Sequence, residues 1–449
     1  MDILMNVLVE QIITYSIVFL LCAVVVYLYL RKKNKTSRQT IEKVTIAKEE
    51  GLHEPVSLHP YIDLNVCIGS AACVASCPEK DILGIVDGKA TVINASNCVG
   101  HGACFHSCPV EAISLRIGTE ERGVELPHVK ETYETNIEGI YIAGELGGMG
   151  LIKNSVEQGK QAIDNLAKTK KPSRPDVYDV IIVGAGPAGI SATLAAKKHG
   201  LNSLTLEQES LGGTVFTFPR SKVVMTSPME LPLYGKVKLY DTSKEELLRL
   251  WEKVISEHDL KITENTKVEN IIPQENGTFK VVTATDEVYF CNQMVLSIGR
   301  RGSPRKLGVP GEESEKVAYR LLEPERIEGK KIIVVGGGDS AIESVLLLKD
   351  ANTVILSYRS DKFSRLKPKN RDAIKKAIEN KEVTVLYNSN LVAINPDHVL
   401  LKVDGESETR KLENELVYIF AGGVMPTKFL ERAGIEITKR FGHIVKKHK

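Results

Sequence analysis

The stretch Asp179–Gly189, DVIIVGAGPAG, constrains this chain more than any other. The apolar run Val180–Val183 reads as a buried parallel strand, and it breaks at once into Gly184-Ala185-Gly186-Pro187-Ala188-Gly189. ISATLAAKKHG follows, a helix of small residues that stops at Gly200. In such a strand, turn and helix, Gly184 permits the tight turn, Gly186 lets a pyrophosphate approach the backbone, and Gly189 lets helix and strand pack closely. The helix N-terminus then faces the phosphates with its free amides. The second strand, Asn202–Leu206, ends on Glu207, whose carboxylate can hold both ribose hydroxyls of an adenosine; Gly213 and Thr214 follow in a donor-rich loop. A purely structural glycine turn is the alternative, and the flanking strand and helix argue against it.

A second strand, turn and helix stands at residues 331–343, KIIVVGGGDSAIE. Gly336, Gly338 and Ser340 frame its turn, with Asp339 opening the helix. The next strand, Thr353–Ser357, ends in Tyr358-Arg359 and offers no acid for a ribose 2′-hydroxyl. Arg359, with Arg365 and Lys367 nearby, suits a 2′-phosphate instead, which favours NADPH over NADH.

Six of the eight cysteines crowd into residues 67–108. Cys67, Cys73 and Cys77-Pro78 recur thirty-one residues on as Cys98, Cys104 and Cys108-Pro109, with CIGSAACVASCP matched by CVGHGACFHSCP. In a cytoplasmic protein such crowding points to metal rather than disulfides. Thiolates are soft anionic ligands suited to iron–sulfide cores, and a zinc module is the structural alternative. The stretch resembles the bacterial two-cluster ferredoxins, which carry C-x2-C-x2-C-x3-C-P twice. That resemblance implies an α+β module and a cross-over of ligands. Cys67, Cys73 and Cys108 would hold one cluster; Cys98, Cys104 and Cys77 would hold the other. The second ligand position departs from the pattern, being Ser70 in one run and His101 in the next. The clusters are therefore expected to be 4Fe-4S, with a substitute fourth ligand, or 3Fe-4S.

Ile12–Leu30 carries no charged residue, and at 1.5 Å per residue it spans about 28 Å, close to a bilayer's hydrocarbon core. No Lys or Arg precedes Arg31, whereas Arg31, Lys32, Lys33, Lys35 and Arg38 follow directly. The asymmetry makes this a retained anchor with its C-terminal side in the cytoplasm. A cleaved signal peptide would want its charge first and a small-residue cleavage site after. Residues 31–57 are charged without a strong apolar period and read as a tether.

Residues 131–168, ETYETNIEGIYIAGELGGMGLIKNSVEQGKQAIDNLAK, resemble the final segment of thioredoxin-reductase-like flavoproteins. There a strand ends in Gly-Asp and an amphipathic helix lies under the flavin; here the acid is Glu145 after Gly144. In that family the segment comes last, whereas here it precedes the first Rossmann strand. The resemblance therefore implies a circular permutation, with Lys168–Asp176 as the joining linker. It also implies that the strand at Ile140–Ala143 extends the sheet next to the first strand. A duplicated fragment that binds nothing is the alternative. The likeness runs over residues 122–449, and VFTFPRSKVVMTSPMELPLY reads most like the bacillithiol-disulfide-reductase branch. The Cys-x-x-Cys of thioredoxin reductases is missing, and Cys291 stands alone in an apolar strand as a structural thiol.

The composition, 43% hydrophobic with a formal net charge of +2, gives no sign of nucleic-acid binding. The expected fold is α/β: two three-layer, Rossmann-like dinucleotide-binding domains of the pyridine nucleotide-disulfide oxidoreductase type, an α+β ferredoxin module and a transmembrane helix. The expected segments are an anchor at 1–30, a linker at 31–57, and the ferredoxin-like domain at 58–116. The permuted piece of the FAD domain follows at 117–168, then FAD domain at 177–311. NAD(P)-binding domain comes at 312–414, with the FAD domain resuming at 415–449. The expected function is a membrane-anchored, single-pass oxidoreductase passing electrons between NAD(P)H, FAD, two iron–sulfur clusters and a redox partner, with no acid–base dyad. Its alternatives are a small-disulfide reductase acting at the flavin and a non-catalytic redox sensor. Monomer and homodimer stay open.

Overall fold

The computed structural model describes residues 2–448 other than 50, 56, 57, 80, 99, 101, 122, 149, 170, 219–222, 227, 301, 302, 364 and 365. His101 and Arg365, both weighed above as ligand-binding residues, lie outside that set. The chain forms two compact units, Met1–Arg116 with His443–Lys449, and Ile117–Gly442.

The first unit begins with one helix, Asp2–Glu49. Its residues 13–30 are apolar and exposed, long enough to cross a membrane by length and composition. The expected tether at 31–57 is instead mostly a continuation of this helix. Ser37, Thr40 and Ala47 are buried, with Val44 packed beside them. Their spacing of three and four residues puts them on one face. Small side chains bring that face close to the hairpin of strands Leu83–Val86 and Lys89–Val92, where a Cβ on Gly84 would lie 2.5 Å from Thr40 Cγ2. Ser37 Oγ donates to Asp87 Oδ1 at 3.0 Å and accepts from the Asp87 amide at 3.2 Å, and Lys43 pairs with Asp81. The face went unread because its residues are small and polar, so no apolar period marks it.

The rest of the unit follows the cysteine repeat. Two short helices, Ala72–Ser76 and Ala103–Ser107, lie thirty-one residues apart. Ser76 Oγ and Ser107 Oγ, equivalent positions in the two repeats, share a hydrogen bond of 2.7 Å. Equivalent residues meet in this way across a local two-fold axis. The three-stranded sheet runs His59–Ile62, Ile113–Ile117, His443–Lys446, so the chain's last strand completes it.

In the second unit, Tyr178–Val183 is flanked by parallel strands Ser203–Leu206 and Val288–Leu296. Val180 and Ile182 pack on one side against Ile163, Leu166, Ala192 and Ala195. Ile181 and Val183 pack on the other with Leu204, Phe279, Leu430 and Ile435. Alternation and burial on both faces explain the unbroken apolar run. Strand Val288–Leu296 changes partners along its length. Its first half pairs antiparallel with Phe279–Thr283, and its end pairs parallel with Ile140–Ile142. The segment preceding the first Rossmann strand thus belongs to the same sheet. It does not lie next to Tyr178–Val183 as expected, because both edges of that strand are already occupied. Helix Ile152–Lys168 packs at backbone distance on helix Pro187–Lys198: a Cβ on Gly159 would lie 2.0 Å from the Ala188 carbonyl oxygen.

A second sheet runs Val317–Ala318, Leu416–Ile419, Lys331–Val335, Thr353–Ser357, Thr384–Leu386. Leu416–Ile419 sits inside it, so the expected resumption of the FAD domain at 415 falls too early. The expectation that 415–449 belongs wholly to that domain also fails at the other end, because His443–Lys446 pairs in the first unit. Ile437–Arg440 pairs antiparallel with Val124–Pro127 near the start of the second unit.

Gly159→Val should drive side-chain atoms into the Ala188 carbonyl and destabilise this unit by roughly 3 kcal/mol, at the upper end for overpacking. A lowered denaturation midpoint with reduced flavin retention is the expected reading.

Candidate nucleotide turns and thiol-lined cavities

The three glycines of the first turn are needed for three different reasons. Gly184 has φ +102°, and a Cβ there would meet the Ser297 carbonyl oxygen at 2.6 Å. Gly189 would place a Cβ 1.8 Å from the Gly184 oxygen, so the helix can approach the strand only without a side chain. Gly186 has nothing within 4 Å of its Cβ position; its backbone lies open, as an approaching phosphate requires. A Cβ on Gly213 would lie 3.4 Å from the Gly186 Cα, and the neighbouring Gly212 amide donates to the Ala185 oxygen at 3.0 Å. Pro187 and Ala188 open the helix, whose N-cap residue Gly186 brings no side-chain cap. Thr214 is exposed on the loop.

Glu207 ends its strand buried, with one carboxylate oxygen accepting from the Ala185 amide at 2.6 Å and the other from Glu209 at 3.0 Å. Burial pushes its carboxyl up, opposed by these amides. The carboxylate therefore sits on the turn itself, where the adenosine ribose of a dinucleotide would arrive. Beside it, Glu209 forms a two-point ion pair with Arg320.

Gly144 and Glu145 come to the same place from the segment that precedes the strand. The Cβ position of Gly144 is 3.1 Å from Ala188 Cβ, at the start of the turn's helix. Its amide donates to Gln158 Oε1 at 2.8 Å. Glu145 is half-buried in the one-turn helix Gly144–Gly147. Leu151, the N-cap of helix Ile152–Lys168, holds φ +99°, a backbone state that an L side chain rarely adopts. Gln158 and Ser297 were not singled out from sequence. Both act by holding backbone, and polar residues in a helix and at a strand end carry no motif.

At the second turn, Gly336 has φ +138° and would meet the Phe420 carbonyl oxygen at 2.6 Å, while Gly338 is open. A Cβ on Gly337 would lie 2.1 Å from the Tyr358 ring, so the ring rests on the turn. Tyr358 stacks in turn on Phe363 at 5.1 Å. Asp339 is engaged elsewhere, accepting from the Lys367 amide at 3.0 Å and from Asn370 at 2.7 Å. Ser340 and Arg359 are exposed at the helix start and the strand end.

The six clustered cysteines divide between two cavities. Cys67, Cys73 and Cys108 line one, together with Ser70 and Val110. Cys77, Cys98 and Cys104 line the other, together with Glu79. Each cavity takes two thiols from one repeat and the last from the other, as the ferredoxin resemblance implied. Three soft thiol donors converge on each cavity, a donor set that fits an iron–sulfur core. Burial pushes the Cys98 thiol up to about 11 and Cys104 to about 12, and raises Cys73 and Cys77 as well. Neighbouring thiols add to the rise, Cys67 and Cys108 acting on Cys73. Thiolates gathered this way need a cationic core to be stable. Backbone amides of Ala90 and Ala112 donate to the sulfurs of Cys67 and Cys108 at 3.4 and 3.3 Å. Glu79 in one cavity and Val110 in the other make the repeat chemically unequal, a difference readable only once the cross-over is known.

Cys77→Ala should strip the cluster shared with Cys98 and Cys104 and spare the other, leaving roughly half the iron. Iron analysis with EPR of the variant checks this; loss of the Cys67 cluster alone would refute the cross-over.

A sequence profile described as pyridine nucleotide-disulphide oxidoreductase matches residues 181–448, and one described as a 4Fe-4S dicluster domain matches residues 59–109. The chain is 25% identical over 267 residues to the bacilliredoxin reductase Bdr of Bacillus subtilis, covering 58% of this chain and 82% of that protein. It is 28% identical over 186 residues to a ferredoxin–NADP reductase of Ignicoccus hospitalis, covering 41% of this chain and 57% of that one. The solved bacillithiol disulfide reductase Bdr of Staphylococcus aureus shares the fold over 58% of this chain and 84% of its own, with a TM-score of 0.51 at 24% identity. With a profile spanning more than half its length, this chain belongs to the pyridine nucleotide-disulphide oxidoreductase family, and it carries a 4Fe-4S dicluster domain besides.

Proposed function

We propose that this chain is a membrane-anchored NAD(P)H-dependent flavoprotein that passes electrons between the pyridine nucleotide, FAD, two four-iron clusters and a redox partner. Residues 12–30 are its anchor, and the redox units face the cytoplasm. The observation that carries this reading is where the cysteines lie. Six line the two cavities, Cys22 belongs to the apolar helix, and Cys291 is buried alone with its thiol pushed up to about 12 by burial. No dithiol accompanies the nucleotide turns, so the thiol-lined cavities are the electron route that the chain offers. Bound FAD takes hydride as an electron pair and releases electrons singly, the form that iron–sulfur clusters carry.

The chain's residues supply binding and orientation. Glu207 would exchange its amide partners for ribose hydroxyls, and Gly186 would let the pyrophosphate reach the backbone. Gly144 and Glu145 would stand at the flavin, and Arg359 would take the 2′-phosphate of NADPH. We read residues 122–168 as the family's terminal segment moved ahead of the first strand; their place in the same sheet supports this. The relatives named for bacilliredoxin and for ferredoxin with NADP support exchange between a pyridine nucleotide and a separate redox partner. The likeness to bacilliredoxin reductase also supports a second reading, direct reduction of a disulfide at the flavin.

Anaerobic NADPH should bleach the flavin and then reduce the clusters, followed by absorbance and EPR; a bleached flavin beside clusters that stay oxidised would sink the first reading. Turnover of a small disulfide at an unchanged rate in Cys77→Ala would favour the second. Arg359→Ala should raise KM for NADPH about tenfold, the loss of one charge-assisted phosphate contact, while KM for NADH stays constant. Deleting residues 1–30 leaves Ser37, Thr40 and Ala47 on their seat, so the shortened protein should leave the membrane fraction and still oxidise NADPH.

A further inference from the structure

The helix that carries the apolar run also seats, at a defined distance from that run, the hairpin turn on which the Cys67 loop rests. Because Asp2–Glu49 is one helix, position along it measures depth. Lys33 and Ser37 lie three and seven residues past Leu30, about 5 and 10 Å along the axis. A lipid headgroup layer is about 5–8 Å deep on each side of the hydrocarbon core, and any tilt of the helix shortens the distance further.

Both residues lie against the turn of the Leu83–Val92 hairpin. Ser37 is bonded twice to Asp87, and Lys33 Nζ lies 3.4 Å from the Cβ position of Gly88. The Cys67 loop rests on the same turn: a Cβ on Gly69 would lie 1.9 Å from the Gly88 oxygen, and Lys89 Nζ donates to the Cys67 oxygen at 2.6 Å. That loop is unusually apolar for a surface. Leu64 is 55% exposed, Val66 44% and Ile68 63%, and Tyr61 is exposed just before them under the Arg116 guanidinium. Four large apolar side chains within eight residues, held beside a basic helix segment at headgroup depth, have a ready occupant in the lipid.

We propose that the loop bearing Tyr61, Leu64, Val66 and Ile68 docks into the headgroup layer of the bilayer that residues 13–30 cross, which sets the Cys67–Cys73–Cys108 cavity at the membrane surface. The proposal rests on the anchor reading given above. The basic residues Arg31, Lys32, Lys33 and Lys35 would lie at the same depth, where anionic headgroups attract them.

The test is photo-cross-linking of the full-length protein in phosphatidylethanolamine–phosphatidylglycerol vesicles. p-Benzoylphenylalanine would replace Ile68, Leu64, Phe19 or His53, one at a time, with adducts identified by mass spectrometry. His53 is exposed beyond the far end of the helix, whose last residue, Glu49, is about 28 Å past Leu30. Lipid adducts at 68, 64 and 19, and their loss at 53, are expected. An adduct at 19 without one at 68 or 64 overturns the docking and leaves the anchor standing. No adduct at 19 overturns the anchor and the docking together. Cross-links from 68 to a second copy of the chain in place of lipid make the loop a subunit interface and overturn the proposal.

Discussion

The close contact between helix Ile152–Lys168 and helix Pro187–Lys198 is the constraint on which the second unit depends. Gly159 allows it by leaving the Ala188 carbonyl oxygen room that a Cβ would fill. Ser191 Oγ then reaches across to the Val156 oxygen at 2.6 Å. Ala162, Ile163 and Leu166 can close on Ala192, Ala195 and the sheet only at this separation. The same contact seats Gly144 beside Ala188, so that the turn and the residues of a distant segment converge on one place. Covering that face with a different, bulkier helix would bury the sheet but would not deliver Gly144 and Glu145 to the turn.

The first unit is held by a different logic. Its core is small, and the buried side chains include Cys67, Cys73 and Cys104 themselves. Apolar burial in a module of this size supplies modest stability, and raised thiol pKa values show what that burial costs the ionised ligands. Cluster binding and folding are therefore coupled, since the thiolates gain a cationic partner only when the core is present. The packed face of the long helix, from Ser37 to Ala47, adds to the unit what its short strands cannot.

Much of this was legible in the sequence where backbone geometry forbids substitutes. Gly184 and Gly189 are each pressed on a carbonyl oxygen, and a turn with that demand leaves a pattern. The cysteine repeat was legible because six cysteines recur at one spacing in two matched runs, and the cavities divide those six three and three. The helix from 31 to 49 was missed because its buried face is small and polar, Thr40 bonding to the Thr36 oxygen and Ser37 to Asp87, so no apolar period marks it. The neighbour of Ile140–Ile142 was misassigned because three apolar residues contain no pairing information. The end of the second sheet was misplaced because Leu416–Ile419 reads the same in either sheet. Glu79 and Tyr358 gained meaning only from what lies opposite them.

The return of the chain to its first unit follows from where the second unit begins and ends. Val124–Pro127 and Ile437–Arg440 form an antiparallel ladder, with Val124 opposite Arg440 and Pro127 opposite Ile437. Entry and exit of the flavoprotein unit are thus adjacent, which is the condition under which one domain can be inserted into another without straining either. The strand His443–Lys446 can then complete the sheet begun by His59–Ile62, although the whole second unit intervenes. The entropy of closing so long a loop grows only with the logarithm of its length, and in the folded chain the ladder holds the two ends of the intervening unit side by side. With the ends of the second unit paired, the chain passes from Arg440 back into the first unit, where His443–Lys446 supplies the third strand beside Ile113–Ile117.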